Sequence, residues 1–93
     1  MAFEWDATKN TANLAKHGID FQDAVRIFEG PVLEKIDSRR NYGEERIVAV
    51  GMVEGLELYV VYTIRGGRRR INSARRANKH EREAYRLAFA QRL

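Results

Sequence analysis

The residues best equipped for chemistry are the arginines of Arg65-Gly-Gly-Arg-Arg-Arg-Ile-Asn-Ser-Ala-Arg-Arg76, which hold six of the chain's thirteen. Arginine outnumbers lysine thirteen to four. That ratio favours planar, two-pronged contacts to phosphate over diffuse attraction. Residues 1–64 carry 7 Lys/Arg against 11 Asp/Glu, net −4, whereas residues 65–93 carry 10 against 2, net +8. A field concentrated at one end in this way attracts a polyanion. A charge run is more often a solvated face than a site. This one opens on a Gly-Gly turn and reads as a strand, which sets alternate arginines on opposite faces of a sheet.

Other chemistries find little support. Two histidines far apart, no cysteine and no tight carboxylate cluster make a metal centre a poor fit. Asp20 and Asp23 read as helix-start residues. There is no Gly-x-Ser-x-Gly elbow, and Gly66-Gly67 is a hairpin turn rather than a phosphate loop. Metal-free cleavage of RNA stays open, because there the 2′-hydroxyl is the nucleophile. The protein need only take a proton, give one, and offer cations to the crowded phosphate. The spacing offers His17, Glu44, Glu81 and Tyr85 for the proton transfers. Each has a structural explanation beside it: His17 closes a helix, Glu44 solvates a loop, Glu81 completes a capping box, and Tyr85 is buried on the last helix. Glu81 and Tyr85, four apart, share a helix face. The residues alone point to a basic, nucleic-acid-binding protein; a non-catalytic binding module and a protein that receives an acidic partner remain alternatives.

These side chains need elements to position them. Phe3-Glu4-Trp5 alternates as a short strand with both rings on one face. Asp6 caps a polar helix whose apolar anchors are Ala12, Leu14 and Ala15, ending at His17-Gly18. Asp20 caps a second helix, with Phe21, Ala24, Val25 and Phe28 as its buried stripe and Gly30-Pro31 as its stop. Strands follow at Val32–Asp37, Arg46–Val53, Leu56–Ile64 and Arg68–Ala74. A polar loop spans Ser38–Gly43, and tight turns fall at Glu54-Gly55 and Gly66-Gly67. The apolar run Leu56–Ile64 suits a central strand covered on both faces. A capping box, Asn78 with Glu81, starts a final helix bearing Ala84, Tyr85, Ala88 and Phe89. The expected fold class is α+β: two N-terminal helices, an antiparallel sheet of about four strands, and a C-terminal helix in one domain over residues 1–93. With no apolar run near membrane-span length, no basic and apolar leader at the N-terminus, and no cysteine, the expectation is a cytoplasmic protein.

Several of these motifs together resemble the BrnT toxins of bacterial type II toxin–antitoxin pairs. They are Phe3-Glu-Trp-Asp6, Asn13 through Lys16-His-Gly18 with Phe21, Ala24 and Phe28, Gly43-Glu44 with Arg46, Arg70-Ile-Asn-Ser-Ala-Arg-Arg-Ala77, and then Glu81 and Tyr85. The departures are Gly30-Pro31 where Asp-Pro is usual and Asn72 where an aliphatic residue is common. The resemblance implies a RelE-like fold and a metal-independent endoribonuclease that needs no cofactor and arrests growth. It further implies neutralisation by a BrnA-like antitoxin in a hetero-oligomer, with DNA contacted only through the antitoxin. Residues and resemblance together give Arg70, Arg75, Arg76, His17, Glu81 and Tyr85 as catalytic candidates. Arg46, Arg65 and Arg68 are the candidates for holding RNA.

Overall fold

The computed structural model describes residues 2–38 and 44–90; residues 39–43 of the loop expected at Ser38–Gly43 lie outside that range. Capping chemistry sets the first elements after the short strand β1 (Phe3–Glu4). The Asp6 carboxylate accepts from the Lys9 N–H at 3.0 Å and starts α1 (Ala7–His17). Gly18, at φ 72°, ends it by donating to the Leu14 carbonyl. Asp20 caps α2 (Phe21–Ala24) by accepting from the Gln22 N–H at 2.8 Å.

The second helix differs from the expected one. After four residues it tightens into a 3-10 segment, Val25–Glu29. A three-residue turn brings Phe21, Ala24 and Ile27 beneath one another, and all three are fully buried. Ile27 thus takes the place expected of Phe28, which stands only half-buried at the rim. Gly51 admits this packing, since a Cβ there would meet the Ile27 Cβ at 2.7 Å.

The strands are β2 (Leu33–Asp37), β3 (Arg46–Val53), β4 (Leu56–Arg65) and β5 (Arg68–Arg76), followed by α3 (Lys79–Phe89). Both hairpins have left-handed central residues, Glu54 and Gly55 at φ 50° and 81°, and Gly66 and Gly67 at φ 59° and 75°. This is the turn geometry that matches the twist of paired strands. The sheet runs β1-β5-β4-β3-β2, with β4 central. It has five strands rather than about four and is mixed rather than antiparallel, because β1 lies parallel to β5, Phe3 opposite Arg69 and Glu4 opposite Arg70. Among the described residues no helix is long and apolar enough to cross a membrane.

The main core lies between one sheet face and α1, α2 and the 3-10 segment, around Phe21, Ile27, Val60, Tyr62 and Ile71. Phe3 and Trp5 pack onto it together, Phe3 stacked on Phe28 and Trp5 edge-on to Phe21. The apolar anchors expected on α1 do not anchor it: Ala12, Leu14 and Ala15 are exposed, Leu14 by 45%. The helix docks instead through buried Asn13. Its Nδ2 donates to the Ala74 carbonyl at 2.9 Å and its Oδ1 accepts from the Ala74 N–H at 3.1 Å. Nδ2 also reaches the Ile19 carbonyl at 2.9 Å. One side-chain amide thereby caps the edge of β5 that faces away from β4, beyond the two residues paired with β1.

Helix α3 covers one end of the opposite face. Tyr85 is buried there against Phe89 and donates to the Pro31 carbonyl at 2.9 Å. Arg86 holds the buried Glu57 carboxylate at 2.7 Å. Ala84 and Ala88, expected on the apolar stripe, are exposed.

Candidate active site

The strand register divides the basic residues between the two faces, since cross-strand partners point the same way. On the face that α3 covers at one end, three rows cross the sheet. The first is Arg70–Thr63–Arg46–Asp37, the second Ser73–Val61–Val48–Lys35, and the third Arg75–Tyr59–Val50–Leu33. In a regular strand Arg70 and Arg75, five apart, would face opposite ways. A bulge where Val61 and Tyr62 oppose Ser73 and Ile71 leaves Asn72 unpaired and returns Arg75 to the face of Arg70. Arg68, opposite Arg65 at the hairpin end, shares that face.

Arg76 does not. It pairs with Leu58 on the other side of the sheet and is exposed, so the expected trio Arg70, Arg75 and Arg76 is split by strand alternation. Arg69 also turns to that far side. Its guanidinium lies 4.0 Å from the centre of the Phe28 ring, with Tyr62 and Phe3 beside it. Its Nε is buried with no hydrogen-bond partner among the described residues. Tyr62 in turn donates to Glu34, and burial first, then that carboxylate, push its hydroxyl pKa up.

Between β2 and the start of α3 the open face forms a groove of about 460 Å³, lined by Lys35, Asp37, Val48, Tyr59, Arg75 and Glu81 among others. The size suits a nucleotide. Arg75 is fixed from two sides. Its guanidinium carbon sits 3.9 Å from the centre of the Tyr59 ring, and Nη1 and Nη2 each donate to a Glu81 oxygen at 2.9 Å. The capping box supplies the anchor, because Glu81 also accepts from the Asn78 N–H at 2.8 Å. Burial works to raise the Glu81 carboxyl, but the hydrogen bonds from Arg75 and Asn78 outweigh it and hold the group below the ordinary glutamate value. Next to the groove an apolar recess of about 250 Å³ opens over Leu33, Val50 and Ala84.

The other expected residues are placed as follows. Tyr85 shares a helix with Glu81 but points under it, its hydroxyl committed to Pro31 and its pKa raised by burial and then by Glu57. Arg70 is tied to Glu4 of β1 at 2.8 Å. Arg65 pairs with Glu44 at 2.6 Å in the open, a contact of small energy. His17 and Arg46 line a separate cleft beside α1. Lys35, Asp37 and Tyr59 are groove residues that the sequence reading missed. Their signal was period-two alternation along the strands, which becomes informative only once the register is known. Among the described residues no three His, Cys, Asp or Glu side chains come together in a metal-binding cluster.

No curated protein matches the chain. A family model does, that of the "Ribonuclease toxin, BrnT, of type II toxin-antitoxin system", over residues 5–81. This span runs from Trp5 through the arginine strand to Glu81 and takes in all the strands but the two-residue β1. A match of that extent settles membership: the chain belongs to the BrnT family, the ribonuclease toxins of type II toxin–antitoxin systems.

Proposed function

We propose that the chain is a metal-independent endoribonuclease that cuts RNA in the Arg75 groove. Family membership makes RNA its substrate and an antitoxin protein its partner; the groove supports the finer reading. The observation that carries it is Arg75, braced between an aromatic ring and a carboxylate over an open cavity. A guanidinium fixed in advance loses little entropy when it meets charge developing on phosphorus. In the reaction the 2′-oxygen bonds to the adjacent phosphorus and the bond from phosphorus to the 5′-oxygen breaks. The products are a 2′,3′-cyclic phosphate and a 5′-hydroxyl, and water later opens the cycle to a 3′-phosphate. The 2′-proton needs an acceptor, and the groove holds two carboxylates, Asp37 and Glu81. In this reading Asp37, at the end of β2 opposite Arg46, takes that proton; Lys35 is the proton carrier on the same wall, for the 5′-oxygen. Glu81 acts as a positioning residue. Arg70, Arg46 and Arg68 hold flanking phosphates on the same face, and the apolar recess takes a base.

The purified protein is expected to cleave RNA in EDTA, leaving cyclic phosphate ends. Strict dependence on an added divalent ion overturns the mechanism. A gel shift without cleavage, with ribosomes supplied, replaces it with a non-catalytic binding module.

The partner reading follows from charge. Three described acidic residues near the arginine face, Glu4, Glu44 and Glu81, are already paired within the chain, which supports neutralisation from outside. A BrnA-like antitoxin presents acidic side chains to this face in a hetero-oligomer and carries the DNA contacts itself. Association is then fast and salt-sensitive. Arg68→Glu with Arg75→Glu is expected to weaken antitoxin binding at low salt; unchanged affinity places the interface elsewhere.

A further inference from the structure

A second basic cleft lies outside the groove. It has a volume of about 360 Å³ and runs between α1 and the bulged stretch of β5, lined by Lys9, Asn13, Lys16, His17, Arg46 and Asn72 with Ser73. Lys9, Asn13 and Lys16 are spaced i, i+4 and i+7, so they share the helix face that meets the strand. Asn13 makes the dock and the lysines flank it. Of the helix's apolar residues only Ala12 lines the cleft; Leu14 and Ala15 do not. Its polar composition, unhelpful to a core, is what a helix needs if its inner edge is to face a charged ligand.

Two details point to an anion of a particular kind. Arg46 reaches this cleft from β3 while belonging to the same cross-sheet row as Arg70. Asn72, pushed out by the bulge, has a buried Nδ2 with no hydrogen-bond partner among the described residues. A buried donor left unmatched is costly, and it supplies direction where lysines supply only charge. Ser73 lines the cleft and also stands on the open face, in the row next to Arg75. The cleft therefore reaches the open face one row away from Arg75.

Resting on the ribonuclease reading, we propose that this cleft is a second subsite for the RNA backbone. It takes a phosphate away from the cut, with Lys9, Lys16 and Arg46 as cations and the Asn72 amide as the directional donor. It sets the length of RNA held rather than the rate of the chemical step.

The test compares a dinucleotide substrate with an RNA octanucleotide, and measures binding of the octanucleotide in an uncleavable 2′-deoxy form. The variants are Lys9→Ala with Lys16→Ala, and separately Asn72→Val, which keeps a strand-compatible shape while removing the donor. Each is expected to weaken the 2′-deoxy octanucleotide roughly tenfold. The lysine variant should also lower the slope of log affinity against log salt by about 0.7 for each phosphate no longer neutralised. Octanucleotide KM rises while kcat and dinucleotide cleavage hold. Unchanged octanucleotide affinity overturns the proposal, and so does an equal loss with the dinucleotide. A loss confined to antitoxin binding makes the cleft a protein-binding surface and overturns it too. Wild-type protein that binds the deoxy octanucleotide through the cleft yet cuts neither RNA refutes the ribonuclease reading alone.

Discussion

Arg75 and Arg76 are neighbours in sequence with the same side chain, yet they stand on opposite faces of the sheet. Arg75→Ala is expected to lower cleavage about a hundredfold, the loss typical of one fixed stabiliser of transition-state charge. Arg76→Ala should lose less than about threefold, because its remaining influence is long-range and screened by salt. Initial rates on one oligonucleotide, with circular dichroism as the check on folding, decide this; equal losses would mean that the groove is not where cutting occurs. Glu81 adds a pH signature. Its folded pKa lies below the ordinary value of 4.5, so its contribution to stability is complete above that value and is lost as pH falls through the lower folded one. Wild-type protein should therefore exceed Glu81→Gln in stability near neutral pH by a margin that shrinks as pH falls below 4.5, because the variant lacks this component of the acid dependence. Matching acid profiles for the two proteins would show that the Arg75 pair carries no linkage.

At the level of strands and helices, the caps, the two tight turns and the central apolar strand were legible, because each depends on a few adjacent residues. What escaped the sequence depends on distant partners. The Asn72 bulge has no composition of its own and is visible only as a slipped register against β4. Helix α1 read as weakly anchored by Leu14, whereas its hold is Asn13 on the backbone of Ala74, 61 positions away. Asn13→Ala deletes those hydrogen bonds and leaves the Ala74 N–H and carbonyl buried without them. The expected cost is about 3 kcal/mol, read from chemical denaturation. Leu14→Ala, on an exposed side chain, should cost less than about 0.5 kcal/mol. The reverse ranking would return the helix to apolar anchoring.

Across the molecule, the charge imbalance seen in the sequence becomes a difference between faces. One face carries Arg46, Arg68, Arg70, Arg75 and Lys35; the other buries its apolar residues under α1, α2 and the 3-10 segment. The basic stretch was legible as a concentration of charge, but the groove beside it was not. The groove joins Lys35 and Asp37 of β2 to Glu81 of α3, and no local pattern links positions that far apart. Helix α3 closes one end of that face through Arg86 on buried Glu57. Arg86→Ala strands the carboxylate and is expected to cost about 2–3 kcal/mol. Loosening of α3 should also lower cleavage, since Glu81 rides on the same helix. Full activity in a clearly destabilised Arg86→Ala protein would separate the helix from the groove.

The pairing of β1 with β5 also bears on how such a molecule comes into being. Phe3 and Glu4 are synthesised long before their partners Arg69 and Arg70. The arginine strand then has β4 waiting on one side and β1 on the other, and Glu81 arrives later still to brace Arg75. Contacts between such distant positions form slowly, because loop closure must precede them. The groove around Arg75 thus cannot assemble before Glu81 has been synthesised, however early β2 and β4 are made.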